Sequence, residues 1–158
     1  FGMTGWRLGW LVAPENAVAE MEKLAQNLFI SMSTMAQHAA LAGFEPATRK
    51  LLDERRDIFR QRRDFLLPAA QELGFHVPCS PEGAFYIYAD ASRFTDDSQA
   101  FCLRLLEDHG VALTPGLDFG RHRARQHVRF SYTTSMERLE LAVDRLAAVL
   151  GSQAVVGV

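Results

Sequence analysis

The chain has 158 residues, 48 % of them apolar and 23 % charged, which is typical of a globular protein about one domain long. Its net charge of −2 argues against a nucleic-acid partner, because binding to a phosphate backbone needs a basic excess. The two cysteines, Cys79 and Cys102, lack metal-site spacing, and no apolar run is long enough to cross a bilayer, so we expect a cytoplasmic protein with no metal site and no membrane partner.

The N-terminal third of the chain predicts one strand and two helices. Residues 6–13 are short, apolar and aromatic, and Pro14 follows them, which predicts a largely buried strand containing Arg7. This strand has no neighbour in sequence with which to pair. Beyond it, apolar residues recur at helical spacing on both sides of a serine-rich segment, which predicts two helices interrupted at residues 31–34.

A long amphipathic helix is predicted to begin at Pro46. Apolar residues recur about every seven positions as far as Leu73, and charged residues fill the opposite face. Pro68 lies inside this pattern and is expected to kink the helix or remove a hydrogen bond, while Gly74 is expected to end it. Too few heptads are present to favour a coiled coil over packing on a sheet.

The remaining sequence predicts short strands alternating with helices. Strands are expected at residues 75–77, 84–89, 111–113 and 127–132. A helix capped by Asp97 or Ser98 and ended by Gly110 is expected to bury one apolar face, formed by Phe101, Cys102, Leu105 and Leu106. Thr134 and Glu137 form a capping-box pair before the last helix. About five helices and five short strands indicate an α/β or α+β fold, with helices packed on a small mixed sheet.

Arg129 lies in a strand pattern whose alternation assigns it to the polar face. Val128, Phe130 and Tyr132 share one face, and Arg129 and Ser131 share the other. Two interpretations remain open from spacing alone. Arg129 is either an outward-facing surface arginine or a guanidinium that grips a carboxylate through two parallel hydrogen bonds.

Arg7 is surrounded by apolar residues, including Trp6, Leu8 and Trp10. A charge in such surroundings is costly unless it is paired, so an anionic partner is expected beside it. That partner is either an internal carboxylate or a bound phosphate or other anionic ligand.

Five motifs resemble class I and II pyridoxal-phosphate aminotransferases of fold type I. They occur in the order found in that family and cover nearly the whole chain: GMTGWRLGW, SMSTMAQHAAL, PEGAFYIYAD, GVALTPGLDFG and VRFSYTTS. The first of them resembles the segment that follows the Schiff-base lysine. By this resemblance the lysine falls about two residues before Phe1, so no catalytic residue is assigned within the chain.

The resemblance implies a role for each of the two arginines. Arg7 matches the arginine that pairs with the cofactor phosphate, and Arg129 matches the arginine that binds the substrate α-carboxylate. Residues 83–86 match a strand entry near the site, and Pro115 with Gly116 matches a loop approaching the substrate.

Other polar residues are interpreted as structural. Ser31 and Ser33 lie where some family members approach the phosphate, although helix capping is favoured for them here. Lys23 and Lys50 are interpreted as surface lysines. Residues 117–126, called the basic loop below, contain three arginines, and these are interpreted as solvated charges in preference to a role in recognition: Arg121, Arg123 and Arg125.

Together these observations predict the C-terminal part of a pyridoxal-phosphate aminotransferase that exchanges an amino group between an amino acid and a 2-oxo acid. Residues 1–30 are assigned to the large domain, 31–150 to the small domain and 151–158 to a frayed tail. We expect the chain alone to be inactive and not to bind the cofactor, and we expect a homodimer or another homo-oligomer. Two alternatives are a related pyridoxal-phosphate lyase or synthase and a noncatalytic self-associating domain.

Overall fold

A computed structural model describes residues 1–153, which form two compact units, Phe1–Arg56 and residues 57 onward. The helices are α1 (Glu15–Leu28), α2 (Thr34–Ala42), α3 (Pro46–Glu72), α4 (Ser98–His109) and α5 (Met136–Gln153). The strands are β1 (Tyr86–Asp90), β2 (Thr114–Pro115) and β3 (His127–Ser131). The predicted tail is corrected in part, because α5 continues to Gln153; residues 154–158 lie outside the described residues.

The strand predicted at residues 6–13 is wrong. A 3₁₀ turn occupies Thr4–Trp6 instead, and Arg7 follows it with a left-handed backbone (φ 53°). The Arg7 N–H donates to the Thr4 carbonyl at 3.3 Å. The described part of this unit contains no strand with which residues 6–13 could pair, and backbone groups without a sheet partner are satisfied locally or by water.

The two helices predicted on either side of the serine-rich segment are confirmed. α1 ends at Leu28, and α2 begins at Thr34. Ser33 occupies the N-cap position of α2, but its side chain makes no capping hydrogen bond, so the capping role expected for it is not borne out. In α1 no residue is buried, and Leu24 and Leu28 are 61 % and 77 % exposed. The apolar face of α1 is therefore open to solvent within this unit.

The long helix is confirmed as α3, with Pro68 inside it. In the second unit α3 buries Leu66 and Ala70 against the core. Gly74 has φ +102° and donates its N–H to the Gln71 carbonyl at 2.9 Å. This left-handed conformation, which favours glycine, ends the helix as predicted.

The sheet has three strands in the order β1-β3-β2, and both pairings are antiparallel. The expectation of a mixed sheet is therefore wrong for the described residues. Of the other predicted strands, residues 75–77 contribute a single bridge between His76 and Asp90, and residues 111–113 are not a strand. β2 stays two residues long, because Pro115 cannot donate to the ladder and a 3₁₀ turn begins at Gly116.

The core of the second unit lies between one face of the sheet and helices α3, α4 and α5. Strand residues Ile87, Val128 and Phe130 are at most 3 % exposed, and the Phe75 ring meets the Phe130 ring edge-on at 4.9 Å. Such aromatic pairs add to the stabilisation from burial. The opposite face of the sheet carries the polar residues of β3, Arg129 and Ser131.

The first turns of α4 and α5 differ in how far they match the predicted caps. The Asp97 carboxylate accepts hydrogen bonds from the Gln99 and Ala100 N–H groups, each at 3.2 Å, so its N-cap role is confirmed. Leu106 is 49 % exposed, so its predicted place on the buried face of α4 is wrong. α5 begins at Met136, and the hydrogen-bond partner of Glu137 is Ser135 rather than Thr134. None of the helices within residues 1–153 is both long and apolar enough to span a membrane.

Candidate functional site

Arg129 lies in the middle of β3, on the face of the sheet away from the core. Its neighbours Val128 and Phe130 are buried, whereas Arg129 is half-buried and Ser131 is exposed. The predicted alternation along this strand is therefore confirmed. Because Arg129 pairs in register with Tyr88 of β1 and Thr114 of β2, its guanidinium group is held over the centre of the small sheet.

The Arg129 guanidinium group has aromatic neighbours and one hydroxyl partner. Its Nη2 donates to Thr114 Oγ1 at 3.2 Å, and its Cζ lies 4.8 Å from the centre of the Phe119 ring and 5.6 Å from that of Tyr86. Both distances are within the range of cation–π attraction. Arg129 forms no ion pair with any described residue, and its Nε is buried without a hydrogen-bond partner.

An unpaired cation with a buried, unsatisfied donor is unusual in a folded protein, since such groups are normally paired. A carboxylate that accepted two parallel hydrogen bonds would supply both the missing charge and the missing acceptors. The geometry favours the second of the two interpretations open from the sequence, in which Arg129 binds a carboxylate.

Arg129 opens into a cleft of about 420 Å³ on this face of the sheet. The size falls within the range of roughly 300–1,000 Å³ that is common for small-molecule sites. The cleft is lined by three aromatic residues, two arginines, a histidine and a glycine: Tyr86, Tyr88, Phe119, Arg121, Arg129, His122 and Gly120. Within residues 1–153 no carboxylate lines it, so an anionic ligand would meet positive charge without competition from an acid of that part of the chain.

The basic loop, which forms one side of the cleft, is anchored by two ion pairs. Arg123 Nη2 contacts Asp90 Oδ2 at 2.8 Å, and Arg125 Nη2 contacts Asp97 Oδ2 at the same distance. The side chains of Arg123 and Arg125 remain 50 % and 62 % exposed, in agreement with the expected solvated charges, and each also pairs with an acid. Arg121 differs from both, because it forms no hydrogen bond or ion pair within the described residues.

A buried hydrogen bond and a close backbone approach hold the same loop. Ser98 Oγ, which is fully buried, donates to the Ala124 carbonyl at 2.9 Å. At Gly116 an added Cβ would lie 2.4 Å from that carbonyl oxygen and 2.8 Å from the Tyr88 hydroxyl. Glycine is needed at this position because there is no room for a side chain. Pro115 and Gly116 are not among the residues that line the cleft, so the predicted approach of this loop to the substrate stays a prediction.

Asp90, at the end of β1, is the buried acid of this region. Burial raises its pKa, but hydrogen bonds from Ser92 and the positive charges of Arg123 and His127 outweigh that effect, so the pKa lies below its usual value. The carboxylate thus stays charged and holds Arg123 near neutral pH. Burial also raises the pKa of Tyr88, whose ring stacks on His127 at 5.1 Å, so its hydroxyl stays protonated.

Arg7 lies in the first unit and is exposed. Its Nη1 donates to the Thr4 carbonyl at 3.2 Å, and it forms no ion pair within the described residues. The expected burial of Arg7 is therefore wrong, and the first of the two partners left open by the sequence, an internal carboxylate, is not found within the described residues. The remaining guanidinium N–H groups are free to donate hydrogen bonds to an anionic ligand, so the phosphate role that the resemblance implies stays a prediction.

Sequence reasoning missed the contributions of Thr114 and Phe119 to the site. A two-residue strand gives no periodic signal, so the pairing of Thr114 with Arg129 was not visible in the sequence. Phe119 lies within the basic loop, ten positions before Arg129, and only the folded chain brings its ring beside the guanidinium group. For Tyr86 the sequence implied only a place in a strand entry near the site, and not its contact with the Arg129 guanidinium group.

Comparison with known proteins identifies the family of the chain. The family model "Aminotransferase class I and II" matches residues 1–146. The chain is 38% identical over 153 residues to a valine–pyruvate aminotransferase of Mycobacterium tuberculosis. The matched region covers 97% of this chain and 39% of that protein. It is 40% identical over 153 residues to an aspartate/prephenate aminotransferase of Thermus thermophilus, and this match covers 96% of this chain and 38% of that protein.

The fold is also similar to that of solved aminotransferases. A crystal structure of an aminotransferase from Mycobacterium tuberculosis matches with a TM-score of 0.86 and 39% identity, covering 96% of this chain and 39% of that one. The chain thus spans about two fifths of the length of the curated relatives that it matches. Because the family model extends over nearly all of its residues, the chain belongs to the class I and II aminotransferase family.

Proposed function

We propose that the chain is the C-terminal part of a pyridoxal-phosphate-dependent aminotransferase, which transfers an amino group between an amino acid and a 2-oxo acid. In this proposal residues 1–30 belong to the large domain and residues 31–150 to the small domain. The observation that carries the proposal is Arg129, a half-buried arginine in an aromatic cleft that no acid among the described residues neutralises.

Arg129 binds and orients the substrate. Its guanidinium group donates two parallel hydrogen bonds to the α-carboxylate, and a bidentate pair fixes direction as well as distance. Thr114 Oγ1 holds one side of the guanidinium group, and the neighbouring strands limit the movement of the arginine. The α-carbon and its hydrogen are thereby kept in one orientation, which lowers the entropic part of the activation barrier.

Two elements of the cleft exclude water around the carboxylate. The Phe119 ring covers one part of the guanidinium group, and the half-buried Tyr88 lies opposite Arg129 in the pairing of β1 with β3. In a drier site a charged hydrogen bond is stronger than in bulk water. The anchored basic loop keeps Phe119 in place during binding.

Arg7 fits as a contact for the phosphate of the cofactor, because its guanidinium donors are exposed and unpaired. Pyridoxal phosphate, when bound, supplies the electron-withdrawing ring on which amino-group exchange depends. Within the chain Arg7 contributes binding, and Arg129 contributes orientation of the substrate.

The described lysines do not supply the proton-transferring amine. Lys23 pairs with Glu20 at 2.8 Å on the exposed surface of α1, and Lys50 is exposed on α3 outside the family motif. We therefore infer that the catalytic lysine belongs to a part of the protein outside this sequence, that the chain alone does not transaminate and that it does not retain the cofactor. An absorption spectrum of the chain with pyridoxal phosphate that shows a lysine-bound cofactor would overturn this inference.

Self-association is part of the proposal. Several apolar residues of the first unit are strongly exposed, among them Val12, Leu28, Ile30 and Met35. Large apolar side chains exposed in such number are often covered by another domain or subunit. A homodimer would cover part of it, and light scattering of the intact gene product would measure the oligomeric state.

The central experiment is substitution of Arg129 in the intact gene product loaded with pyridoxal phosphate. Arg129→Gln removes the charge and is expected to lower kcat/KM by at least about a hundredfold, since charged hydrogen bonds and the orientation of the substrate are lost together. Arg129→Lys keeps the charge but not the two parallel hydrogen bonds, so an intermediate loss is expected. The assay follows the 2-oxo acid produced and the amino acid formed from the second oxo acid.

The matched control is Arg138→Gln, which removes an exposed arginine from α5 and leaves the Arg129 cleft intact. Its kcat/KM is expected to stay within about twofold of the wild-type value. If Arg129→Gln retains wild-type kcat/KM, or if the protein releases oxo acid without forming a new amino acid, the proposed function is wrong.

A further inference from the structure

The basic loop contains three arginines, and only one of them lacks a structural partner. Arg123 and Arg125 are held by Asp90 and Asp97, each at 2.8 Å. Arg121 forms no hydrogen bond or ion pair within residues 1–153. The difference cannot come from composition, since the three residues alternate along one short segment. It comes from where each side chain lies.

Arg121 lines the cleft that contains Arg129. The cleft thus has two guanidinium groups on its walls, one from the rigid centre of β3 and one from the anchored loop. Asp118, the acid of this segment, does not line the cleft. None of the described residues in the lining is a carboxylate that could neutralise either arginine.

We propose that Arg121 is a specificity-determining residue that binds a second carboxylate, so that the preferred substrates are dicarboxylic amino acids and 2-oxo acids. This inference rests on the proposed function, in which Arg129 binds the α-carboxylate. Arg129 takes the first carboxylate, and Arg121 takes the one at the far end of the substrate. The aromatic rings between them contact the carbon chain.

Loop anchoring explains how an exposed arginine contributes to specificity. An exposed ion pair on a mobile segment contributes little, because ordering the side chains costs as much as the pair gains. Here two ion pairs and the Ser98 hydrogen bond to the Ala124 carbonyl hold the loop before any ligand arrives. The loop backbone around Arg121 therefore loses its conformational entropy during folding and not during binding. More of the free energy of the ion pair between Arg121 and a ligand carboxylate is then available for binding.

The test compares two ligands of equal chain length, succinate and butyrate, which differ in the second carboxylate. Their dissociation constants are measured by titration calorimetry with the intact, cofactor-loaded gene product. The wild-type protein is expected to bind succinate about tenfold or more tightly than butyrate, as charged hydrogen bonds allow. Arg121→Gln is expected to weaken succinate binding about tenfold and to leave butyrate within twofold, and Arg121→Lys is expected to lose only part of the preference.

Two control variants distinguish the possible failures. Arg138→Gln removes one positive charge from α5 and is expected to leave the dissociation constants of both succinate and butyrate unchanged. Arg129→Gln is expected to weaken the binding of both ligands. If it weakens the binding of neither, the proposed function itself is wrong. If Arg129→Gln weakens both ligands while Arg121→Gln leaves succinate unchanged, or weakens both ligands equally, the role of Arg121 is overturned and the proposed function stands.

Discussion

The guanidinium carbon of Arg129 lies 4.8 Å from the centre of the Phe119 ring. The two residues are ten positions apart, and Phe119 reaches Arg129 because the basic loop folds back over the sheet. The ring lies within cation–π distance of the guanidinium group, whose Nε is buried without an acceptor. Phe119 is therefore a positioning residue for the arginine that we propose binds the substrate carboxylate.

Replacement of Phe119 is expected to weaken carboxylate binding. Phe119→Ala removes an attraction of roughly 0.5–2 kcal/mol, which corresponds to a loss of about twofold to thirtyfold in butyrate affinity. Phe119→Tyr keeps the ring and should bind butyrate nearly as tightly as the wild-type protein. Titration calorimetry measures both variants, and an Ala variant with wild-type affinity would contradict the positioning role.

Gly116→Ala is expected to destabilise the protein because its Cβ would lie 2.4 Å from the Ala124 carbonyl oxygen, a backbone atom that cannot move freely. Overpacking of this kind costs about 1–3 kcal/mol. The matched control is Gly83→Ala, since a Cβ at Gly83 meets nothing within 4 Å. Urea unfolding followed by circular dichroism should show a lower midpoint for Gly116→Ala alone, and equal midpoints would contradict the close approach.

Asp90→Asn is expected to lower stability at pH 7 and to have little effect in acid. The pKa of Asp90 is lower in the folded protein than its ordinary value of 3.8, so the charged form stabilises the fold above that pH. The contribution is lost as the pH falls from about 5 through the folded pKa. At pH 7 the variant should lose roughly 1–2 kcal/mol, because Arg123 is half-exposed and its attraction is screened.

The pH dependence of the difference is the decisive measurement for Asp90. Urea unfolding of the wild-type protein and of Asp90→Asn at pH 7 and pH 3 gives two differences in the free energy of unfolding. Other carboxylates with lowered pKa values, including Asp97, titrate in both proteins and cancel. A difference that is the same at both pH values would show that the charge of Asp90 does not stabilise the fold.

Ser98→Ala is expected to destabilise the region where α4 meets the basic loop. The variant leaves the buried Ala124 carbonyl without its hydroxyl donor, and an unsatisfied buried polar group costs about 1–3 kcal/mol. Ser80→Ala serves as the control, because Ser80 is exposed and its change should stay within about 0.5 kcal/mol. Chemical unfolding compares the two, and equal stabilities would rule out a structural role for the Ser98 hydroxyl.

Several elements could be predicted from the sequence because their signals are local. The length of α3 follows from its amphipathic repeat and the glycine beyond its end, and Asp97 has the side chain that N-cap positions favour. The alternation of buried and half-buried residues in β3 follows from the period of two, so the polar face of Arg129 was identified correctly.

The N-terminal strand and the short strands beyond β1 were predicted less well. An apolar run resembles a strand whether or not another strand lies beside it, and pairing is a tertiary property. Residues 6–13 have no partner strand within the described part of their unit, and residues 111–113 precede the pairing that Thr114 makes. For the same reason the sequence could not distinguish a mixed sheet from the antiparallel one observed.

By itself the sequence determined the helices, the polar face of β3 and, through its ordered motifs, the resemblance to the aminotransferase family. Only the tertiary structure decided what surrounds each arginine. Arg123 and Arg125 meet carboxylates about thirty residues away, whereas Arg121 and Arg129 line a cleft to which the described part of the chain contributes no carboxylate. The reason is physical: a charged residue has the same local pattern whether it is solvated, paired or unpaired, and only long-range packing of the chain determines which charges meet.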